Sequence, residues 1–136
     1  MVEVAPSAAL LDTSVVIAVA LPLDELPDTA SISVVTIGEL YAGVHLAKAP
    51  EARRLRQARL DAVRRAFAPI PVDEPIAERY GEVLAVARRE GRSAKATDVL
   101  IVATAASTSL PLMTLDAAQA RLALAAGVAV ARRPES

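Results

Sequence analysis

The 136 residues are 54% hydrophobic and 23% charged but only 2% aromatic, so the core must be built from Ala, Val, Leu and Ile. Cysteine is absent and His45 is the one histidine, which excludes disulfide scaffolds, thiol nucleophiles, thiolate metal sites and histidine cages and leaves oxygen chemistry. Fifteen basic residues against 16 acidic ones give net charge −1, which excludes a polyelectrolyte-type nucleic-acid binder.

The length suits one domain over residues 1–136, burying roughly 68% of the unfolded surface without a staple. The first strand is expected over Ala8–Leu11 (AALL), followed by a helix from about Ser14 to Ala20 and a loop over Pro22–Asp28. The β-branched run Ser31–Val35 (SISVV) reads as a second strand, with a helix from Thr36. Pro50 separates that helix from an arginine-rich one over about Glu51–Ala66. Pro69 and Pro71 bracket an expected edge strand near Ile70–Val72, because proline is tolerated at sheet edges and not centrally.

Asp73 caps the next helix, with Pro75 in its first turn, Ile76, Tyr80, Val83, Leu84 and Ala87 on its apolar face, and Gly91 at its end. A helix from Thr97 is nearly all apolar from Val99 to Ala106 and is expected to be central. Leu112–Thr114 reads as a strand, Asp116–Ala125 as a helix stopped by Gly127, and Val128–Ala131 as a last strand. Strands apolar on both faces, alternating with helices, indicate a three-layer α/β/α sandwich around a mostly parallel sheet of about five strands.

Mean hydropathy is high, at +0.39. The apolar runs nevertheless fall short of the roughly 20 residues that span a bilayer. No positive region precedes the first apolar stretch and Asp12 interrupts it, so a signal peptide is not expected and the cytoplasm is the default location. Glycine-rich phosphate loops and a GxSxG elbow are absent.

The informative acids stand at element junctions. Asp12 follows the first strand, Glu39 lies early in the helix after the second, Asp98 opens the central helix and Asp116 follows the fourth strand. In a parallel sheet the carboxyl ends of the strands share one edge, where such folds bind ligands. Each acid also has an ordinary structural role: Thr36 and Glu39 have capping-box spacing, Asp12 can cap the helix after it, and Asp98 and Asp116 suit the helix dipole. Together they are different. Two unit charges 4 Å apart repel by about 4 kcal/mol at an effective dielectric near 20, so a rim that gathers several calls for a compensating cation. Mg²⁺ or Mn²⁺ suits carboxylate and water oxygen.

Charge is also unevenly spread. No Lys or Arg precedes Lys48, and six arginines then crowd Arg53–Arg65. On a helical wheel Arg53, Arg54, Arg64 and Arg65 fall within about 120°. That arc is either a solvated face or a phosphate-binding one. Arg88, Arg89, Arg92 and Lys95 form a second basic group.

The segments LLDTSVVIA (10–18), SVVTIGELYAGV (33–44) and ATDVLIVATAASTSLPLMTLDAAQ (96–119) resemble, in order and spacing, the signatures of PIN-domain ribonucleases, above all the VapC-type toxins of toxin–antitoxin pairs. The resemblance covers nearly the whole chain. It implies a PIN-like fold and Mg²⁺-dependent endoribonuclease activity, with Asp12, Glu39, Asp98 and Asp116 as the acids. Asp12, Asp98 and Asp116 would hold the metal, and Glu39 would complete the shell or orient the attacking water. Thr13 or Ser14 and Thr114 match orienting hydroxyls. The sequence departs from the family pattern where Leu115 replaces an Arg and Gln119–Ala120 replace an Asp-Phe pair. The resemblance further implies a homodimer and a small antitoxin partner. Tyr41 is expected in the core or a dimer interface, and His45 on the surface. The readings that compete are a PIN-like RNA- or partner-binding module without catalysis, and an RNase H-like nuclease. The latter fold opens with adjacent antiparallel strands, unlike this chain.

Overall fold

In the computed structural model, which describes residues 3–4, 7–18, 27 and 29–131, five short strands lie parallel in one sheet. They are β1 (Glu3–Val4), β2 (Ala8–Leu11), β3 (Thr29–Ser31), β4 (Leu112–Met113) and β5 (Val130–Ala131), in the order β1-β5-β4-β2-β3. Six helices cover it: α1 (Thr13–Ala18), α2 (Val34–Leu46), α3 (Pro50–Ala66), α4 (Glu74–Arg89), α5 (Ala96–Thr108) and α6 (Ala117–Ala125).

Side chains alternate across a strand, and this divides the core in two. Leu10 and Leu112 face α4, α5 and α6, where Ile76, Val83, Val99, Ile101, Val102 and Leu122 are buried. Ala9, Leu11, Met113 and Ala131 face the other way, onto Val15 of α1, Leu40 and Val44 of α2 and Leu60 and Val63 of α3. Each fully buried aliphatic side chain contributes about 1.5–3 kcal/mol. The α/β/α sandwich expected from the sequence is therefore the observed one, and α5 is its central helix.

The topology places the site. From β2 the chain moves to β3 on one side, and it later returns to β4 on the other side of β2. Between β2 and β4 the direction of winding reverses, and a crevice opens outside their carboxyl ends. Asp12 and Thr114 are the residues that directly follow those ends.

Several boundaries differ from expectation for identifiable reasons. The strand expected over Ser31–Val35 ends at Ser31, because the Ser33 hydroxyl accepts from Val35 N–H at 3.0 Å and turns the chain into α2. The cap overrides the β preference of Val34 and Val35. The expected strand near Ile70–Val72 is a single bridge, Ser33 with Ile70, joined by Val34 N–H to the Ile70 carbonyl and Ile70 N–H to that of Ile32, each 2.9 Å. Pro69 and Pro71 have no N–H with which to extend it. The fifth strand is instead Glu3–Val4, too short to leave a pattern. The last two strands are shorter than expected, Leu112–Met113 and Val130–Ala131. The loop expected over Pro22–Asp28 lies, Pro27 apart, outside the described residues. Asp73 caps α4 as expected, accepting from Ile76 N–H at 3.0 Å. Tyr41 is not in the core but 39% exposed, and His45 is exposed. No described helix is long and apolar enough to cross a membrane.

Ser33→Ala should lower the unfolding free energy by about 1 kcal/mol, read as a lower urea midpoint at unchanged m value. A helix capped at Thr36 instead would leave the midpoint where it is.

Candidate active site

Asp12 extends the parallel ladder by one bond, its N–H donating to the Met113 carbonyl at 2.8 Å. Its side chain is only 5% exposed, and a buried carboxylate needs hydrogen bonds to offset lost hydration. It receives them from far along the chain. Ser14 Oγ and Thr114 Oγ1 each donate to Asp12 Oδ2 at 2.7 Å, and Gln119 Nε2 approaches Oδ1 at 3.4 Å. With both hydroxyl protons committed, the 3.3 Å approach of Ser14 to Thr114 is a contact between acceptors. Those acceptors are used: Ser14 Oγ takes Leu115 N–H at 3.0 Å and Thr114 Oγ1 takes Asp116 N–H at 3.1 Å. The Asp12 carboxylate does not cap α1; its backbone carbonyl does, accepting from Val15 N–H at 3.0 Å.

Glu39 is held by a second hydroxyl chain. Thr13 Oγ1 donates to Glu39 Oε1 at 2.6 Å and lies 2.9 Å from the fully buried Thr36 Oγ1. The Thr13 proton goes to the carboxylate, so Thr36 donates to Thr13. Thr36 and Glu39 thus do not form a capping box. Both reach toward the end of β2 from inside α2.

Asp116 is the N-cap of α6, its Oδ1 accepting from Ala118 N–H at 2.9 Å and Gln119 N–H at 3.2 Å. Asp98 lies in the first turn of α5, half-buried, with no side-chain hydrogen bond among the described residues. Burial raises its carboxyl above the ordinary carboxylate value, and the charges of Asp12, Glu39 and Asp116 raise it further against an opposing effect from Lys95. The charges of the other three expected acids therefore all reach Asp98. Among the described residues no group of three or more acids or imidazoles is arranged to hold a metal ion as it stands. Hydrogen bonds hold Asp12 by both oxygens and Glu39 and Asp116 by one each, while Glu39 Oε2, Asp116 Oδ2 and both Asp98 oxygens accept none among the described residues.

Gln119 was not legible as a site residue, because its slot departs from the acid of the family pattern. It is 3% exposed, and its Nε2 donates to the Asp98 carbonyl at 3.0 Å while also approaching Asp12. One amide ties α6 to α5 and to the end of β2. The signal available was its spacing, three residues beyond Asp116, which turns it inward from the first turn of α6.

Asp98, Asp116 and Gln119 line a cleft of about 230 Å³, together with Arg92 and Arg121. A larger cavity, about 470 Å³, lies at the opposite edge of the sheet around Ser109–Pro111 and Ala126–Ala129; Arg79 is the charged residue in its wall, and none of the four acids is there. The arginines of α3 are on its surface: Arg53, Arg54, Arg64 and Arg65 are exposed, and Arg56 donates to the Gly43 carbonyl at 2.7 Å.

Comparison with known proteins agrees with this architecture. The family model of the PIN domain matches residues 9–124. Ribonuclease VapC5 of Mycobacterium tuberculosis is 37% identical over 131 residues, spanning 93% of this chain and 96% of that protein. Ribonuclease VapC8 of the same species is 42% identical over 100 residues, 71% of this chain and 88% of the relative. Among solved structures, VapBC-5 of M. tuberculosis, a member of the VapBC family of toxin–antitoxin systems, superposes with a TM-score of 0.80 at 35% identity, covering 93% of this chain and 99% of its match. FitAcB of Neisseria gonorrhoeae gives 0.73 at 32%, covering 90% and 95%.

Because the folded state raises the Asp98 pKa, protonation favours folding, and stability is lost as pH climbs from the ordinary carboxylate range, about 3.9, through the raised value. Without added metal, Asp98→Asn should melt at or above the wild-type temperature at pH 7, and this difference should close as pH falls toward about 4. Thermal melts across that range check it; a large destabilisation at pH 7 would make Asp98 a structural cap.

Proposed function

The chain belongs to the PIN-domain family, and within it to the VapC-type ribonucleases, and on that footing we propose that Asp12, Glu39, Asp98 and Asp116 are the catalytic and metal-binding set of a Mg²⁺-dependent endoribonuclease toxin. What carries the assignment to these residues is the mutual repulsion centred on Asp98. Four carboxylates gathered at a switch point are an electrostatic cost that a hard cation removes.

The residues fit such a cation. The donor set is all oxygen, which selects Mg²⁺, with Mn²⁺ a workable substitute. Asp12 is pre-oriented by Ser14 and Thr114, Glu39 by Thr13, and Asp116 by the first amides of α6. Each anchored acid is thereby spared part of the entropy of ordering. Asp12, Asp98 and Asp116 would hold the ion, and Glu39 would complete its shell or orient water. A bound divalent ion supplies a water of lowered pKa and charge neutralisation at the phosphoryl group. The site then has no need of a histidine base, in keeping with His45 being exposed on α2.

RNA is the substrate in this reading, cleaved in the cytoplasm. The low aromatic content directs recognition to the sugar–phosphate backbone and folded shape rather than stacked bases. The exposed arc of Arg53, Arg54, Arg64 and Arg65 is available to phosphates. The relatives' toxin–antitoxin assemblies support a small antitoxin protein as a partner, and a homodimer is the expected assembly. Exposed Val34, Tyr41 and Leu46 on α2 and Leu55 on α3 offer apolar surface for such contacts.

Asp98→Asn should remain folded and lose RNA cleavage by more than about 100-fold, beyond the ~10–100-fold that outer-shell substitutions cost. Titration calorimetry with Mg²⁺ should show weakened binding in the same variant. Cleavage at the wild-type rate, or Mg²⁺ binding equal to that of wild type, would leave a non-catalytic RNA- or partner-binding module as the better reading.

A further inference from the structure

We infer that the cleft between the entry to α5 and the first turns of α6 binds an RNA backbone phosphate next to the scissile one, gripped between Arg92 and Arg121. The inference rests on the ribonuclease reading and adds a substrate subsite to it. Two cations share the cleft wall with Asp98 and Asp116. An anion entering it meets guanidinium groups beside the acids, and guanidinium forks match phosphate oxygens in shape and charge.

Both arginines are set up for this. Arg92 directly follows Gly91, whose φ of 66° places it in the left-handed region. There the chain closes α4 in a Schellman motif, with Arg92 N–H on the Ala87 carbonyl at 2.8 Å and Gly91 N–H on that of Arg88 at 3.1 Å. The backbone of Arg92 is therefore fixed. Its Nε donates to Glu90 Oε1 at 2.8 Å, and its terminal nitrogens make no other hydrogen bond among the described residues. Arg121 stands on α6, exposed, with no acidic partner within ion-pair distance among the described residues. Its helix is fastened to the site by the Asp116 cap and the Gln119 bridge.

The entry to α5 adds to the attraction. Its N-cap, Lys95, supplies no side-chain hydrogen bond, so the first amides of the helix stay uncapped by any side chain between Ala94 and Asp98, both of which line the cleft. Uncapped helix amides favour anions. A polynucleotide cut at the acids always carries another phosphate one nucleotide away, and the cleft opens directly beside two of those acids. An acidic peptide would meet the same guanidiniums but has no requirement to extend from the cutting point.

The test compares wild type with Arg92→Ala, Arg121→Ala and the double variant, using end-labelled total transfer RNA as the probe. Binding is followed by anisotropy in EDTA at several salt concentrations, and cleavage by KM and kcat in saturating Mg²⁺. Each substitution should raise KM and the dissociation constant about tenfold or more, the loss of one charge-assisted contact, with kcat little changed. The slope of log affinity against log salt should shrink by about 0.7 per arginine. Arg121→Lys and Arg92→Lys should recover part of the affinity, separating lost charge from lost folding. If wild type cleaves the RNA and the alanine variants keep its KM and salt slope, the subsite is overturned and the ribonuclease reading stands. If those variants instead lose binding only to the antitoxin, the cleft is a protein-docking site and the inference fails. A wild type that neither binds nor cuts RNA sinks both readings.

Discussion

A nearly buried carboxylate, Asp12, receives two hydroxyl protons from opposite ends of the chain, and the rest of the rim depends on that arrangement. Ser14 and Thr114 are 100 positions apart, yet both donate to the same oxygen. Having given their protons, both hydroxyls accept backbone amides of the next turn, Leu115 and Asp116. Those bonds fix the loop after β4, which sets Asp116 as the cap of α6 and brings Gln119 inward to the Asp98 carbonyl. Loss of Asp12's partners would leave an unsatisfied buried charge and would also release the segment that carries two further site residues.

The acids share a rim without being equally supported. Hydrogen bonds hold Asp12, Glu39 and Asp116, whereas Asp98 accepts none among the described residues and carries most visibly the cost of the others' charge. Natural folds tend to break local rules where function requires it. Here the broken rule is the gathering of like charges. The fold tolerates it because the anchoring bonds are short and charge-assisted, while the repulsion acts through partly solvated space. Gln119 limits the cost further: a neutral amide at the position where the family pattern has an acid spares the rim a fifth negative charge and contributes a donor.

Positive charge is distributed in complement. α3 exposes its arginines across a helix face, as a diffuse attraction that salt screens easily. Arg92 and Arg121 are few but held beside the acids by a helix stop and a capped helix. Diffuse charge suits encounter with a polyanion, and fixed charge suits its registration. Net charge near zero conceals this separation of signs.

Much of the fold was legible in the sequence because its signals are local. Asp73, Pro75 and Gly91 bound α4 through backbone chemistry that needs no tertiary partner, and the apolar run in α5 announces burial from all sides. The strands were less legible. β1, β4 and β5 are two residues each, and Ser33 ended β3 through a single cap that outweighed the β preference of two valines. The identity of the acids followed from junction positions and the resemblance together. Their detailed support did not, because Thr36 to Thr13 to Glu39 and Ser14 to Asp12 to Thr114 are contacts between distant segments. The sequence by itself determined an oxygen-only chemistry, a parallel sheet and four acids at element junctions, all consequences of composition and short-range pattern. Only the tertiary structure decided which hydroxyl orients which acid, that Glu39 is held by Thr13 and does not cap its own helix, and that Gln119 and Arg121 stand beside Asp98 and Asp116, because each rests on the approach of segments that the chain keeps far apart.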